Sequence, residues 1–164
     1  MGHAVHKGGN IFLDVMTQCK DRNIQWHFIG STFALREKHY KVTFHDPMSQ
    51  KDLDVFYNEN VDVLLNTENG QMFNGWPLGI EAALQGVVLI TTDMNNSNKA
   101  FKYTDDMMFI VEPNDKETII KYINRLNKDR ELLHQMSQKI QAHSCEVFKY
   151  DNQQKRILEF VHEQ

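Results

Sequence analysis

Apolar positions along this chain fall into short continuous runs separated by stripes of helical period. Phe12, Val15, Met16 and Cys19 recur at helical spacing over residues 11–20, with Asn10 placed to cap the start. Residues 24–29 then read as a strand that stops at Gly30, and residues 31–37 as a short helix or turn. A second strand at 41–45 is closed by Asp46-Pro47. Ser49, with Asp52 three residues on, opens a helix whose apolar side is expected from Leu53, Val55 and Phe56. Residues 61–66 make a third strand. The nearly unbroken apolar run at 87–91 carries the pattern of a strand buried on both faces.

A polar loop at 94–106 leads to a strand at 107–111, closed by Pro113. Asn114 with Glu117 is placed to cap a long helical region. There Ile119, Ile123 and Leu126, then Leu133, Met136 and Ile140, keep one apolar face across a break near 127–129. A last helix is expected from Asp151, docking through Ile157, Leu158, Phe160 and Val161. Strands alternate with helices throughout, so the pattern predicts a Rossmann-like, doubly wound parallel sheet with helices on both faces. Residues 1–164 read as one domain, with no internal repeat or linker.

Composition narrows this little. Hydrophobic residues at 41% and charged residues at 24% are globular values. A net charge of −4 provides no basic field for nucleic acid or for a membrane surface. Cys19 and Cys145 lack ligand or redox spacing and read as reduced, buried thiols. The eight histidines form no i, i+4 pair on a predicted helix, so no metal site is expected. No apolar run is long enough to span a membrane, and the expected location is cytoplasmic.

Chemistry concentrates in residues 68–93. There a polar, Gly-rich loop runs into Pro77, a short apolar helix carries Glu81, Gly86 stops that helix, and a strand follows at once. In α/β proteins such a unit sets a helix N-terminus, with its unpaired N–H groups and positive dipole end, at the ligand edge of the sheet. A phosphate is the natural guest. Taken alone, Glu81 is equally well an ordinary charge near a helix start. His27, inside a strand, reads as packed or hydrogen-bonded, whereas His45 stands at a strand end and is better placed for a site.

Several segments occur together in a known order. They are Lys7-Gly8 before the first helix, Trp26-His27-Phe28-Ile29-Gly30, Val42-Thr43-Phe44, a strand at 61–66, Gly-Trp-Pro-Leu-Gly-Ile-Glu-Ala-Ala at 75–83, and Gly-Val-Val-Leu-Ile-Thr-Thr-Asp at 86–93. From about Lys7 onward the chain resembles the C-terminal, donor-binding half of retaining GT-B glycosyltransferases, the family of glycogen synthase and of lipopolysaccharide and capsule enzymes. The resemblance implies a nucleotide-diphosphate sugar as donor substrate, no further cofactor and no required metal. It implies transfer of the sugar to a hydroxyl of a glycan or glycolipid in polysaccharide biosynthesis.

Residue by residue, the resemblance assigns Glu81 to the ribose diol and the loop of Gly75, Pro77, Leu78 and Gly79 to the diphosphate. Lys7 would neutralise the departing diphosphate, and His45 and Asp46 would lie near the nucleobase. Two positions depart from the family pattern. Phe73 stands where an acid usually contacts the transferred sugar, leaving Asn74, Glu68 or Asn69 to substitute, and Met1 stands where an Arg is usual. In the sheet order 3-2-1-4-5-6 the first strand is central. Only Ala4-Val5-His6 is available for it, so the chain is expected to be a fragment whose acceptor-binding domain lies upstream. The isolated domain should then be inactive in transfer, with peripheral membrane contact left to the full-length enzyme. Two other functions fit these residues: a non-catalytic nucleotide-sugar-binding or interaction module with a decayed site, and a nucleotide-sugar epimerase.

Overall fold

The computed structural model describes residues 9–19, 21, 23–30, 42–67, 75–92 and 101–149. The expected turn at 31–37 and the helix from Asp151 lie outside them. Ten elements follow in order: α1 (Gly9–Gln18), β1 (Trp26–Ile29), β2 (Val42–His45), α2 (Gln50–Asn60), β3 (Val63–Asn66), α3 (Gly75–Leu84), β4 (Val88–Thr92), β5 (Met108–Val111), α4 (Lys116–Lys128) and α5 (Arg130–Val147).

Every strand pairing among the described residues is parallel, as predicted. β1 pairs with β2, Trp26 opposite Val42, and β3-β4-β5 form a second sheet with Val63 opposite Val88 and Leu89 opposite Met108. These two pieces, β2-β1 and β3-β4-β5, match the two flanks of the order 3-2-1-4-5-6 on either side of its first strand. Residues 1–8, the expected source of a rudimentary strand, lie outside the described part.

The period of two sorts side chains onto two faces. Trp26, Val42, Val88, Ile90, Phe109 and Val111 turn to one side, where α1 and α4 cover them with Val15, Met16, Ile119 and Leu126. Leu89 and Met108 turn to the other and pack with Tyr57 of α2, Ala82 and Ala83 of α3, and Ile140 of α5. All five residues of β4 are buried, as its apolar run requires. The single core cluster shared by β1, β2, β4 and β5 makes the two sheet pieces parts of one layer.

Local chemistry explains most boundaries. Ser49 caps α2, its Oγ accepting from the Asp52 N–H at 3.2 Å. Gly86 ends the turn after α3 with φ +81, and Gly30 leaves β1 with φ +116. Asp129 sits at the break between α4 and α5; it ends the first helix and caps the second by accepting from the Leu132 N–H at 2.9 Å.

Four expectations are corrected. Asn114 does not cap α4: it takes a left-handed φ of 67 after Pro113, and Asp115 caps instead, accepting from the Thr118 N–H at 3.0 Å. Asn10 lies inside α1, which starts at Gly9. On α2 the inward face is Leu53, Phe56 and Tyr57, at i, i+3 and i+4, which leaves Val55 49% exposed. Cys145 is exposed on the solvent side of α5, and only Cys19 is buried; both are free thiols.

Candidate functional site

At the carboxyl ends of the parallel strands, where open α/β sheets bind ligands, polar residues gather. β2 ends at His45 and Asp46, β3 at Asn66 and the buried Thr67, and β4 at the buried Thr91 and Thr92. The start of α3 belongs to the same edge, because this helix follows β3 directly and returns the chain to β4. Thr91 Oγ1 donates to the Thr92 carbonyl at 3.1 Å, which satisfies one buried hydroxyl within its own strand.

Helix α3 begins at Gly75, and Pro77 is tolerated because it falls in the first turn. Pro77 and Leu78 are exposed. Glu81 lies six residues beyond Gly75, about 9 Å along the axis, and shares a face with Pro77 and Leu78 at i−4 and i−3. No acidic residue occupies the first turn of α3. The dipole effect fades beyond that turn, so complementing the helix start does not account for Glu81. Gly79 faces the opposite way: a Cβ there would stand 3.5 Å from Leu89 Cδ1 and 3.9 Å from Asn66 Nδ2. Both are ordinary van der Waals distances, so this side of α3 rests on β3 and β4.

His45 is half-buried and its ring is engaged. Its Nε2 lies 3.0 Å from His27 Nδ1, and the near-parallel rings have centres 5.2 Å apart, the spacing of an edge-to-edge hydrogen bond. Phe56 of α2 stands edge-on to both rings, at 5.4 and 4.8 Å. Burial, followed by the neighbouring His45, holds His27 below the usual imidazole range. The sequence expectation that His27 is hydrogen-bonded is met. The pairing with His45 was not legible, since it joins diagonal positions on neighbouring strands.

Lys7 and Asn74 lie outside the described residues, and Asp46 is exposed beside His45. Sequence reasoning missed Asn66, Thr67, Thr91 and Thr92, although their place at strand ends was the available signal. It also missed Tyr57, which is 3% exposed and whose phenol is pushed up to about 12 by burial and then by the Glu81 and Asp54 charges. Among the described residues no three His, Cys, Asp or Glu side chains cluster as a metal site. None of the described helices is long and apolar enough to cross a membrane. An open groove of about 310 Å³ lies along Met48, Asp52, Val55, Phe56 and Asn60; it includes none of the candidate donor residues.

No protein-family model and no curated protein matches the sequence. Solved structures do match the fold: nearly the whole chain superposes on one half of GT-B glycosyltransferases, and its fold is that of such a half-domain. Among them are Anabaena Alr3699/HepE in complex with UDP (17% identity, TM-score 0.76, 98% of this chain and 46% of that one) and a glycosyltransferase from Rickettsia africae (15%, 0.74, 96% and 44%). Sucrose-phosphate synthase from Thermosynechococcus elongatus is a third (16%, 0.75, 97% and 42%). HepE was also solved with UDP and glucose and with UDP-glucose. The chain spans less than half the length of these three proteins.

Proposed function

We propose that this chain is the donor-binding domain of a glycosyltransferase that moves a sugar from a nucleoside diphosphate to a glycan or glycolipid hydroxyl. One observation supports this most: over 98% of its length the chain has the fold of the half-domain of an enzyme solved with UDP and UDP-glucose. The polar carboxyl edge and a carboxylate two turns into α3 agree with it.

In this reading the N–H groups at the start of α3 meet the diphosphate, whose charge matches the positive end of the helix. Glu81 accepts hydrogen bonds from the ribose diol. His45 and Asp46 border the base, Asn74 reaches the sugar in place of the acid missing at Phe73, and Lys7 stabilises charge on the leaving diphosphate. The nucleotide sugar is the substrate, and no other cofactor is needed. A second, acceptor-binding domain closes the cleft and aligns the hydroxyl. Without it the 164 residues bind nucleotide weakly and transfer nothing. Such an enzyme would work in the cytoplasm.

Calorimetric titration with nucleoside diphosphates, UDP first, tests the reading. Saturable binding is expected, and the absence of saturable heat with every nucleoside diphosphate would overturn it. The reading as a decayed, non-catalytic module draws on Phe73 and on Met1 at the position where an Arg is usual; transfer restored by adding an acceptor domain would exclude it.

A further inference from the structure

Tyr57 is the buried residue of α2, at 3% exposure. Its ring belongs to the cluster of Ala82, Ala83, Val87, Leu89 and Ile140, so it packs on α3 against the two alanines that follow Glu81, within reach of the Glu81 charge. Yet among the described residues its phenolic oxygen has no hydrogen-bond partner. Folded proteins keep few buried hydroxyls unpaired, and each calls for an explanation. Packing does not supply one, because Phe would fill the same space.

The charges acting on the phenol are those of Glu81 and, more weakly, Asp54, which stands three residues earlier on α2. Both act against ionisation, so the phenol stays a neutral O–H and can serve as a donor to a carboxylate. Asp54 belongs to the same helix, whereas Glu81 lies across the α2–α3 contact on the helix that enters the ligand edge.

We infer that Tyr57 is a positioning residue of the nucleotide site, its O–H turning to the Glu81 carboxylate and holding it toward the ribose. This rests on the donor-binding reading above. A phenol fixed by its packing that donates one bond to the carboxylate as the ligand arrives restricts its rotamers, and the remaining lone pairs point where a diol can donate to them. In the free chain the bond is open; the ribose hydroxyls draw the carboxylate into it.

Titrating UDP and its 2′,3′-dideoxy analogue into the chain and into Tyr57→Phe tests the assignment, with melting curves taken without nucleotide. Wild type is expected to favour UDP over the analogue. Tyr57→Phe is expected to bind UDP roughly tenfold more weakly, the loss of one hydrogen bond to a charged group, and to bind the analogue as wild type does. Its melting temperature should stay within about 2 °C. Asp54→Asn should leave UDP binding unchanged. Equal UDP affinity in wild type and Tyr57→Phe, an equal loss for both nucleotides, or an effect of Asp54→Asn as large as that of Tyr57→Phe overturns the assignment and leaves the donor-binding reading standing. A wild-type chain that binds neither nucleotide overturns both.

Discussion

Replacing His27 by Phe removes one half of the ring-to-ring hydrogen bond with His45, 3.0 Å long, and keeps a flat side chain against Phe56. A neutral bond of this kind is worth about 0.5–1.5 kcal/mol net. The released His45 nitrogen lies in a half-buried position that water reaches, so no further penalty is added, and Phe recovers part of the loss as apolar contact. A net cost of about 1 kcal/mol follows, or about 2–4 °C in a domain of this size.

The pH dependence separates this explanation from simple repacking. Burial and the neighbouring His45 lower the proton affinity of His27 in the folded chain. The unfolded chain therefore takes up a proton first as the pH drops. The stabilisation is complete above the unfolded imidazole value of about 6.5 and is lost as pH falls through the lower folded value. Wild type should lose stability between about pH 7.5 and pH 5 more steeply than His27→Phe. Urea unfolding at several pH values measures both curves. A variant as stable as wild type at pH 7.5, or a gap that widens on acidification, would refute the reasoning.

Two further predictions concern the scaffold. Gly86→Ala should cost about 1–2 kcal/mol, since φ is +81 there and the new Cβ would stand 3.1 Å from Ser137 Oγ of α5; an unchanged urea midpoint would contradict this. Tyr103→Phe should lower stability by about 1–2 kcal/mol, because the Tyr103 hydroxyl donates at 2.8 Å to the buried Ser144 Oγ, whose own hydrogen goes to the Ile140 carbonyl. Thermal melts check it.

Much of the scaffold was legible because it rests on local rules. The Ser49 cap, the stop at Gly86, the break before α5 and the all-buried β4 each follow from a few neighbouring residues and a period. Two errors arose where nearby residues compete for one role. Asn114 and Asp115 are both good caps, and the left-handed turn at Asn114 decides between them. Val55 looked like part of the apolar side of α2, but the helix turns Tyr57 inward in its place.

At the candidate site, the place of a helix start at the carboxyl edge of the sheet was legible from the loop, helix and strand succession. Contacts between distant elements were not. His27 meets His45 only after β1 and β2 align in register, and Tyr57 comes within reach of the Glu81 charge only when α2 packs on α3. The helix start moved as well: with α3 beginning at Gly75, Glu81 sits beyond the reach of the dipole, which therefore does not account for its presence.

The central claim, that Glu81 and the start of α3 hold a nucleoside diphosphate by its ribose and phosphates, is tested most directly by titrating UDP into the wild-type chain and into Glu81→Ala. The account predicts saturable binding by wild type and affinity about tenfold lower in the variant, as for the loss of hydrogen bonds to one carboxylate, with the fold intact. Identical titration curves for the two proteins would contradict it.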